Sequence, residues 1–303
     1  MRDLLAIANG RAGGARGEAT RVALEVLRAG ARVEVSEPGE PAELAGVLRR
    51  ARGRLPVVLG GDGSVHALVA AAARLGRLGG LADDDSPAFE FAIVPLGTGN
   101  DLARTLGLPF DPAAAARVVL DGRPRELDVL VDDTGGVVVN AVHLGIGAEA
   151  GRLALPLKPR LGRLAYPVGS AMAGASARGW RLRVAVDGEV LAGGGRRVLM
   201  AALGNGVTVG GGAPLAPSAR PDDGQVDVVV SFSTGWRARV GFATALVRGR
   251  HPERHDVVQA RGRAVVVVAD EPIALNADGE LSTLHTARRW TVLHHAARVF
   301  VPA

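Results

Sequence analysis

Three short stretches in the first third of the chain combine glycine with a carboxylate or hydroxyl. They are Asn9-Gly10-Arg11-Ala12-Gly13-Gly14, Gly60-Gly61-Asp62-Gly63-Ser64 and Pro95-Leu96-Gly97-Thr98-Gly99-Asn100-Asp101. Glycine lets a backbone approach phosphate oxygens, and a helix that opens behind such a loop offers its first N–H groups to the anion. Asp62 and Asp101 then stand where a bound triphosphate would already crowd negative charge. An acid there is unfavourable unless a cation bridges it to phosphate, so Mg2+ is the natural inference. The alternative is that both carboxylates cap helices, which suits Asp at a helix start. A fourth stretch, Asp278-Gly279-Glu280, carries two more acids. Asp-Gly by itself predicts only a hairpin turn there.

Loops of this kind work together only if a scaffold brings them to one edge. Residues 4–8, 33–36, 57–59 and 92–94 read as short apolar strands, with helical patterns over 18–29, 42–52 and 100–106. Such alternation predicts an α/β domain with a parallel sheet, whose loops gather at the carboxyl ends of the strands. That domain is expected to run over residues 1–123. Beyond it, residues 126–131, 137–142, 182–186, 198–203, 226–231 and 264–269 read as strands between Asp-Gly and Gly-Gly turns. With few helices between them, they predict a mostly antiparallel β-sandwich over 124–285. Residues 290–301 are apolar again, and the tail 286–303 is expected to rejoin the first domain, with the active site in the cleft between domains.

Composition narrows the chemistry. At 303 residues, 48% hydrophobic and 22% charged, the chain has the profile of a folded protein with room for two cores. Aromatic residues make up 3%, too few for base stacking to dominate recognition, and no nucleic-acid partner is expected. Cysteine is absent, which excludes disulfides, thiolate catalysis and cysteine-bearing zinc sites. The net charge of +5 comes from arginine, because Lys158 is the only lysine. It sits in Pro156-Leu157-Lys158-Pro159, which excludes both a Walker A loop and the strand lysine of protein kinases. No apolar run reaches the ~18–20 residues that span a bilayer, so a cytoplasmic protein touching membranes peripherally is expected. Arg152, Lys158, Arg160, Arg163, Arg178, Arg181 and Arg183 fall in residues 151–186 with no acid among them, interleaved with leucines. That segment reads either as a solvated face or as a contact with anionic membrane.

Gly60-Gly61-Asp62-Gly63-Ser64 followed by Pro95-Leu96-Gly97-Thr98-Gly99-Asn100-Asp101-Leu102-Ala103-Arg104 resembles the diacylglycerol kinase catalytic-domain family. That family includes bacterial soluble lipid kinases and sphingosine kinases, and is distantly related to NAD kinases. The resemblance continues through Asn140, Gly145-Ile146-Gly147, Gly204-Asn205-Gly206, Gly210-Gly211-Gly212 and Asp223-Gly224 to Asp278-Gly279-Glu280. It implies ATP-dependent phosphoryl transfer to a lipid hydroxyl, most simply diacylglycerol to phosphatidic acid, at an anionic membrane surface. Asn9, Gly10, Arg11, Ala12 and Gly13, with Gly60, Gly61, Gly63, Ser64, Gly97, Gly99 and Asn100, would hold the nucleotide phosphates. Ser36 and Thr98 would add hydroxyl contacts and His66 a further donor. Asp62 and Asp101 would anchor the catalytic Mg2+, and either Asp278 or Glu280 would take the acceptor's proton. A structural Mg2+ would use the carboxylate of Asp223 and main-chain oxygens of Arg220 and Gln225. Gly10 replaces the family's usual Pro, and His66-Ala67 its Asn-Glu pair. An NAD kinase-like enzyme and a non-catalytic binder of the same fold are the alternative readings, and a homodimer is left open.

Overall fold

The computed structural model describes residues 2–8, 15–51, 53–80, 88–154, 156 and 178–303. They form two compact units. Unit 1 is Met1–Val129, Pro221–Gly224 and Leu293–Ala303; unit 2 is Leu130–Arg220 and Gln225–Val292. Patterning alone drew the first division at residue 123. The ten-residue strand β5 (Arg123–Asp132) instead runs through the division after Val129, so no break in composition marks it.

In unit 1, strands β1 (Asp3–Ala8), β2 (Arg32–Ser36), β3 (Leu55–Gly60) and β4 (Phe89–Pro95) lie parallel in the order β2-β1-β3-β4. The end of the last strand, β18 (Ala287–Val301), runs parallel beside β4, with Ala297 opposite Phe89. Ile7 pairs with Ser36, Ala8 with Leu59 and Gly60 with Pro95. This register brings the carboxyl ends of β1 to β4 to a single edge, and the loops that follow them start there. Five helices accompany the sheet among the described residues: α1 (Ala15–Gly30), α2 (Leu44–Arg50), α3 (Asp62–Arg74), α4 (Asp101–Thr105) and α5 (Pro112–Asp121). Leu4, Ala6, Val57, Leu59 and Val94 pack against Leu27 of α1 and Val119 of α5. The α5 helix, not anticipated from pattern, starts by ordinary rules: Pro112 occupies its first turn and the Asp111 carboxylate accepts from Ala114 N at 2.8 Å.

Unit 2 is a sandwich of antiparallel sheets. Its strands are β6 (Val137–Val138), β7 (Ala141–Gly145), β8 (Leu182–Val186), β9 (Glu189–Gly193), β10 (Met200–Gly204), β11 (Thr208–Val209), β12 (Ala213–Pro214), β13 (Val226–Ser231), β14 (Val257–Gly262), β15 (Ala264–Ala269), β16 (Ile273–Ala277) and β17 (Glu280–Leu284). One sheet has the order β14-β13-β10-β7-β16-β17, and in the other β9, β8 and β15 lead to the start of β18. Val142, Leu203 and Val228 from the first meet Val184, Val267 and Trp290 from the second. Helix α6 (Ile146–Ala154) follows β7, and α7 (Trp236–Val247) covers the outer face of the first sheet. This explains why β13 reads Val-Asp-Val-Val-Val-Ser without alternation. Val226, Val228 and Val230 enter the sandwich core, while Val229 packs outward in one cluster with Phe242 of α7.

Two expectations change. Residues 137–142 form not one strand but two, broken at Val139 and Asn140, whose N–H groups bond a side chain instead of a neighbouring strand. Helix α7 has no readable apolar stripe, because Trp236, Val240 and Val247 face solvent and Phe242 alone is buried.

His143 of β7 is buried, its Nδ1 has no hydrogen-bond partner, and burial pushes its pKa down from 6.5 to about 4. Below pH 6.5 the unfolded chain binds a proton that the folded one refuses until about pH 4, so stability falls across that window. Between pH 7 and pH 5 this one group should cost about 2 kcal/mol. Urea unfolding of His143→Leu at the two pH values should show a correspondingly smaller loss than the parent.

Candidate active site

The first cluster lies at the carboxyl edge of the parallel strands in unit 1. Leu96 N donates to Gly60 O at 3.0 Å, which joins the loops after β3 and β4. The contact closes so far that a Cβ on Gly97 would lie 2.4 Å from Gly61 Cα, and one on Gly61 would lie 2.8 Å from Gly97 Cα. Only glycine fits at either position. Asn100 fastens the second loop from within: its Oδ1 accepts from Gly97 N at 3.0 Å, and its Nδ2 donates to Gly97 O at 2.9 Å. Its left-handed backbone (φ 54°) is one that Asn tolerates better than most residues.

Asp62 and Asp101 are the first residues of α3 and α4, behind Gly61 and Asn100. The N-cap residues of the two helices, Gly61 and Asn100, make no side-chain cap bond. Asp62 reaches across instead, its Oδ1 accepting from Leu102 N of α4 at 3.2 Å. Asp101 is buried and Asp62 half-buried. Linked through the first turn of α4 beside the closed glycine loops, Asp62 and Asp101 could offer carboxylate oxygens to a divalent cation such as Mg2+. Gly63 faces open space on the first turn of α3, where helix N–H groups lack intrahelical partners. Ser64 folds back toward Gly60, Thr98 is exposed on its loop, and Ser36 ends β2 at the same edge. His66 is half-buried on α3. Asn9, Gly10, Arg11, Ala12 and Gly13 lie outside the described residues.

The second cluster belongs to unit 2. Ala277 pairs with Glu280, leaving Asp278 and Gly279 as a two-residue turn with φ of 50° and 96°. The hairpin reading of this motif is therefore right, but the carboxylate does more. Asp278 Oδ2 accepts from Val139 N at 2.6 Å, and its Oδ1 accepts from Asn140 N and Ala141 N, both at 2.9 Å. Asn140 Nδ2 donates to Thr208 O at 2.9 Å, while Asn140 O accepts from Asn205 N and Gly206 N. Asn205 Nδ2 closes the circuit on Val139 O at 2.7 Å. Motif residues scattered over the sequence thus form one network. The Glu280 side chain is exposed and makes no hydrogen bond or ion pair among the described residues.

Of the residues expected to hold a structural Mg2+, Asp223 belongs to unit 1 and Arg220 and Gln225 to unit 2. The N–H groups of Val139, Asn140 and Ala141 left no signal in the sequence, since any residue type can offer them.

Two family models cover the chain: a diacylglycerol kinase catalytic domain over residues 3–131, and a YegS C-terminal NAD kinase beta sandwich-like domain over residues 140–301. The chain belongs to this family of lipid kinases. It is 35% identical over 229 residues to a probable lipid kinase YegS-like of Chromohalobacter salexigens, covering 73% of this chain and 68% of that one. The diacylglycerol kinase of Bacillus subtilis is 30% identical over 234 residues, covering 75% and 71%. The crystal structure of a diacylglycerol kinase from Bacillus anthracis str. Sterne shares the fold at a TM-score of 0.79 and 23% identity, over 99% of this chain and 97% of that one.

The glycine contact gives a direct test. Gly97→Ala should lower stability by roughly 1–3 kcal/mol, because two backbones must part. Gly63→Ala, which enters open space, should change it by less than about 0.5 kcal/mol. Thermal melting of the pair measures the difference.

Proposed function

We propose that this lipid kinase transfers the γ-phosphoryl group of ATP to the hydroxyl of diacylglycerol, releasing ADP and phosphatidic acid. The observation that supports this most is the division of labour between two adjacent carboxylates. Asp278 spends its oxygens on three backbone N–H groups, while Glu280 has no partner among the described residues. Glu280 is therefore the base and Asp278 a positioning residue that orients the strand on which Glu280 starts. The lipid oxygen attacks the γ-phosphorus, its proton goes to Glu280, and the bond from phosphorus to the ADP oxygen breaks. Backbone N–H groups at the start of α3 and around Gly97 would cradle the phosphates, which suits a chain with one lysine. Asp62 and Asp101 would hold Mg2+, which supplies charge neutralisation on the transferred group.

Radiolabelled phosphate transfer from ATP, against a panel of lipids plus NAD, with and without Mg2+, tests this reading. Mg2+-dependent label should appear in diacylglycerol, and Glu280→Gln should lower turnover by roughly 10^2- to 10^4-fold without loss of fold. Label in NAD alone, or parental turnover by Glu280→Gln, would overturn it.

The acceptor is dissolved in a membrane, and no helix among the described residues is long and apolar enough to cross one. Most of the basic segment 152–183 lies outside the described residues, and Arg152 within it is paired with Glu149 at 2.5 Å. Helix α7 offers a surface of suitable chemistry. Trp236, Val240 and Val247 are 70%, 58% and 75% exposed, at spacings of four and seven residues that put them on one face. Arg237, Arg239, Arg248 and Arg250 accompany them, and no acid occurs between Asp227 and Glu253. Exposed tryptophan and aliphatic groups beside arginine fit an anionic lipid surface. Trp236→Ala/Val247→Ser should sediment less with phosphatidylglycerol vesicles than the parent, and Arg160→Gln/Arg163→Gln should do the same. Neither should bind phosphatidylcholine, and both should keep activity on detergent-dispersed substrate. Parental vesicle binding by the α7 variant would remove this surface from the proposal, and a change in its oligomeric state would make the face a contact between copies.

A further inference from the structure

A third cluster, in unit 1, takes no part in the reaction above. Asp128 of β5 is fully buried. Its Oδ2 accepts from Gly224 N at 2.6 Å, and its Oδ1 accepts from His295 N at 2.8 Å and lies 2.9 Å from His294 Nδ1. In a regular strand His294 and His295 would project to opposite faces. His295 instead adopts a left-handed backbone (φ 54°), and the two imidazoles lie with centroids 3.6 Å apart and planes tilted by 33°. A non-glycine residue held in that region is strained. Here the unusual backbone brings two metal-binding rings onto one buried carboxylate.

One potential ligand atom from each of Asp128, His294 and His295 lies within 4.8 Å of the others, the one such trio among the described residues. Both histidines are exposed, and His295 also lines a hollow of about 670 Å3, so an ion has a path in. Gly224 packs against the His294 ring, where a Cβ would lie 3.0 Å from Nδ1.

We propose that Asp128, His294 and His295 form a binding site for a divalent transition metal, Zn2+ by preference. Two imidazoles and one carboxylate select Zn2+, Co2+ or Ni2+ over the oxygen-seeking Mg2+. The site is thus chemically separate from Asp62 and Asp101. On binding, the ion sits between His294 Nδ1 and Asp128 Oδ1, and the neutral ring carries its single proton on Nε2. Water completes the coordination. The bound ion would cross-link β5 to β18 within unit 1.

The test uses the full-length, tag-free protein with Co2+ as a visible probe and Zn2+ as competitor. One equivalent of Co2+ should give the intense d–d absorption of a low-symmetry nitrogen and oxygen site. Stoichiometric Zn2+ should abolish it, millimolar Mg2+ should not, and Zn2+ should raise the melting temperature. His294→Gln/His295→Gln, which alters exposed rings, should fold as the parent does but lose the absorption and the Zn2+-dependent shift. No Co2+ spectrum in the parent, an unchanged spectrum in the double variant, or displacement by Mg2+ would each overturn the site. The readouts are independent of phosphoryl transfer, so failure here and failure of the kinase reading are distinguishable.

Discussion

The carboxylate of Asp278 holds three consecutive backbone N–H groups, those of Val139, Asn140 and Ala141. Strand pairing is interrupted there, between β6 and β7, and N–H groups left unbonded in the interior would each cost about 1–3 kcal/mol. One side chain removes all of that cost. In doing so it decides where β7 begins, where Asn140 sits and how Asn205 closes on Val139. It also leaves Glu280, two residues on, as the carboxylate with nothing to hold among the described residues. A turn residue thus commits one of two acids that the sequence shows as equals to structural work.

The same device recurs in unit 2. Asp187-Gly188 is a second two-residue turn, between Val186 and Glu189, and the Asp187 backbone is left-handed as well. Its carboxylate accepts from Arg263 N and Ala264 N, at the connection between β14 and β15. Asp-Gly at a hairpin tip is therefore more than a turn former here: the left-handed residue aims a carboxylate sideways at unpaired backbone of another connection. Asn100 does the equivalent in unit 1, with a left-handed backbone and an amide that fastens its own glycine loop. His295 is the remaining non-glycine residue of this kind among the described residues, and its unusual backbone brings two imidazoles together beside Asp128. Three of these four positions lie in clusters with candidate chemistry.

In the proposed reading, phosphate recognition by this chain would rest on close backbone approach. With Lys158 as its one lysine, and Gly61 and Gly97 in backbone contact, the candidate site offers N–H groups and helix ends in place of ammonium groups. Among the described arginines, Arg125 pairs with Asp222, Arg288 with Asp132 and Arg298 with Glu126, while Arg104 donates to Gly99 O in the second glycine loop. Backbone N–H groups carry no formal charge, so in the proposed reading two nearby carboxylates would leave a place for a divalent cation without opposing lysines to displace it.

The sequence by itself determined the class of each unit and marked the candidate residues for chemistry. Short apolar runs alternating with helical patterns specify a parallel sheet, and the register that gathers Ser36, Gly60 and Pro95 follows from that topology. Gly61 and Gly97 were legible because close backbone approach leaves a mark that only glycine can carry. Other features were not legible. That β7 starts at Ala141, that Asp62 bonds α4 and not its own helix, and that Asp278 is spent while Glu280 is not all depend on backbone N–H groups, which every residue but proline presents alike. Helix α7 escaped notice for the opposite reason, its apolar side chains being exposed instead of buried. The Asp128–His294–His295 cluster needed a left-handed residue inside a strand, and a pattern of period two places adjacent histidines apart. Local propensity chooses elements and marks glycine. Which polar group meets which unpaired backbone atom is decided by contacts between residues far apart in the chain, and these exist only once the units have folded.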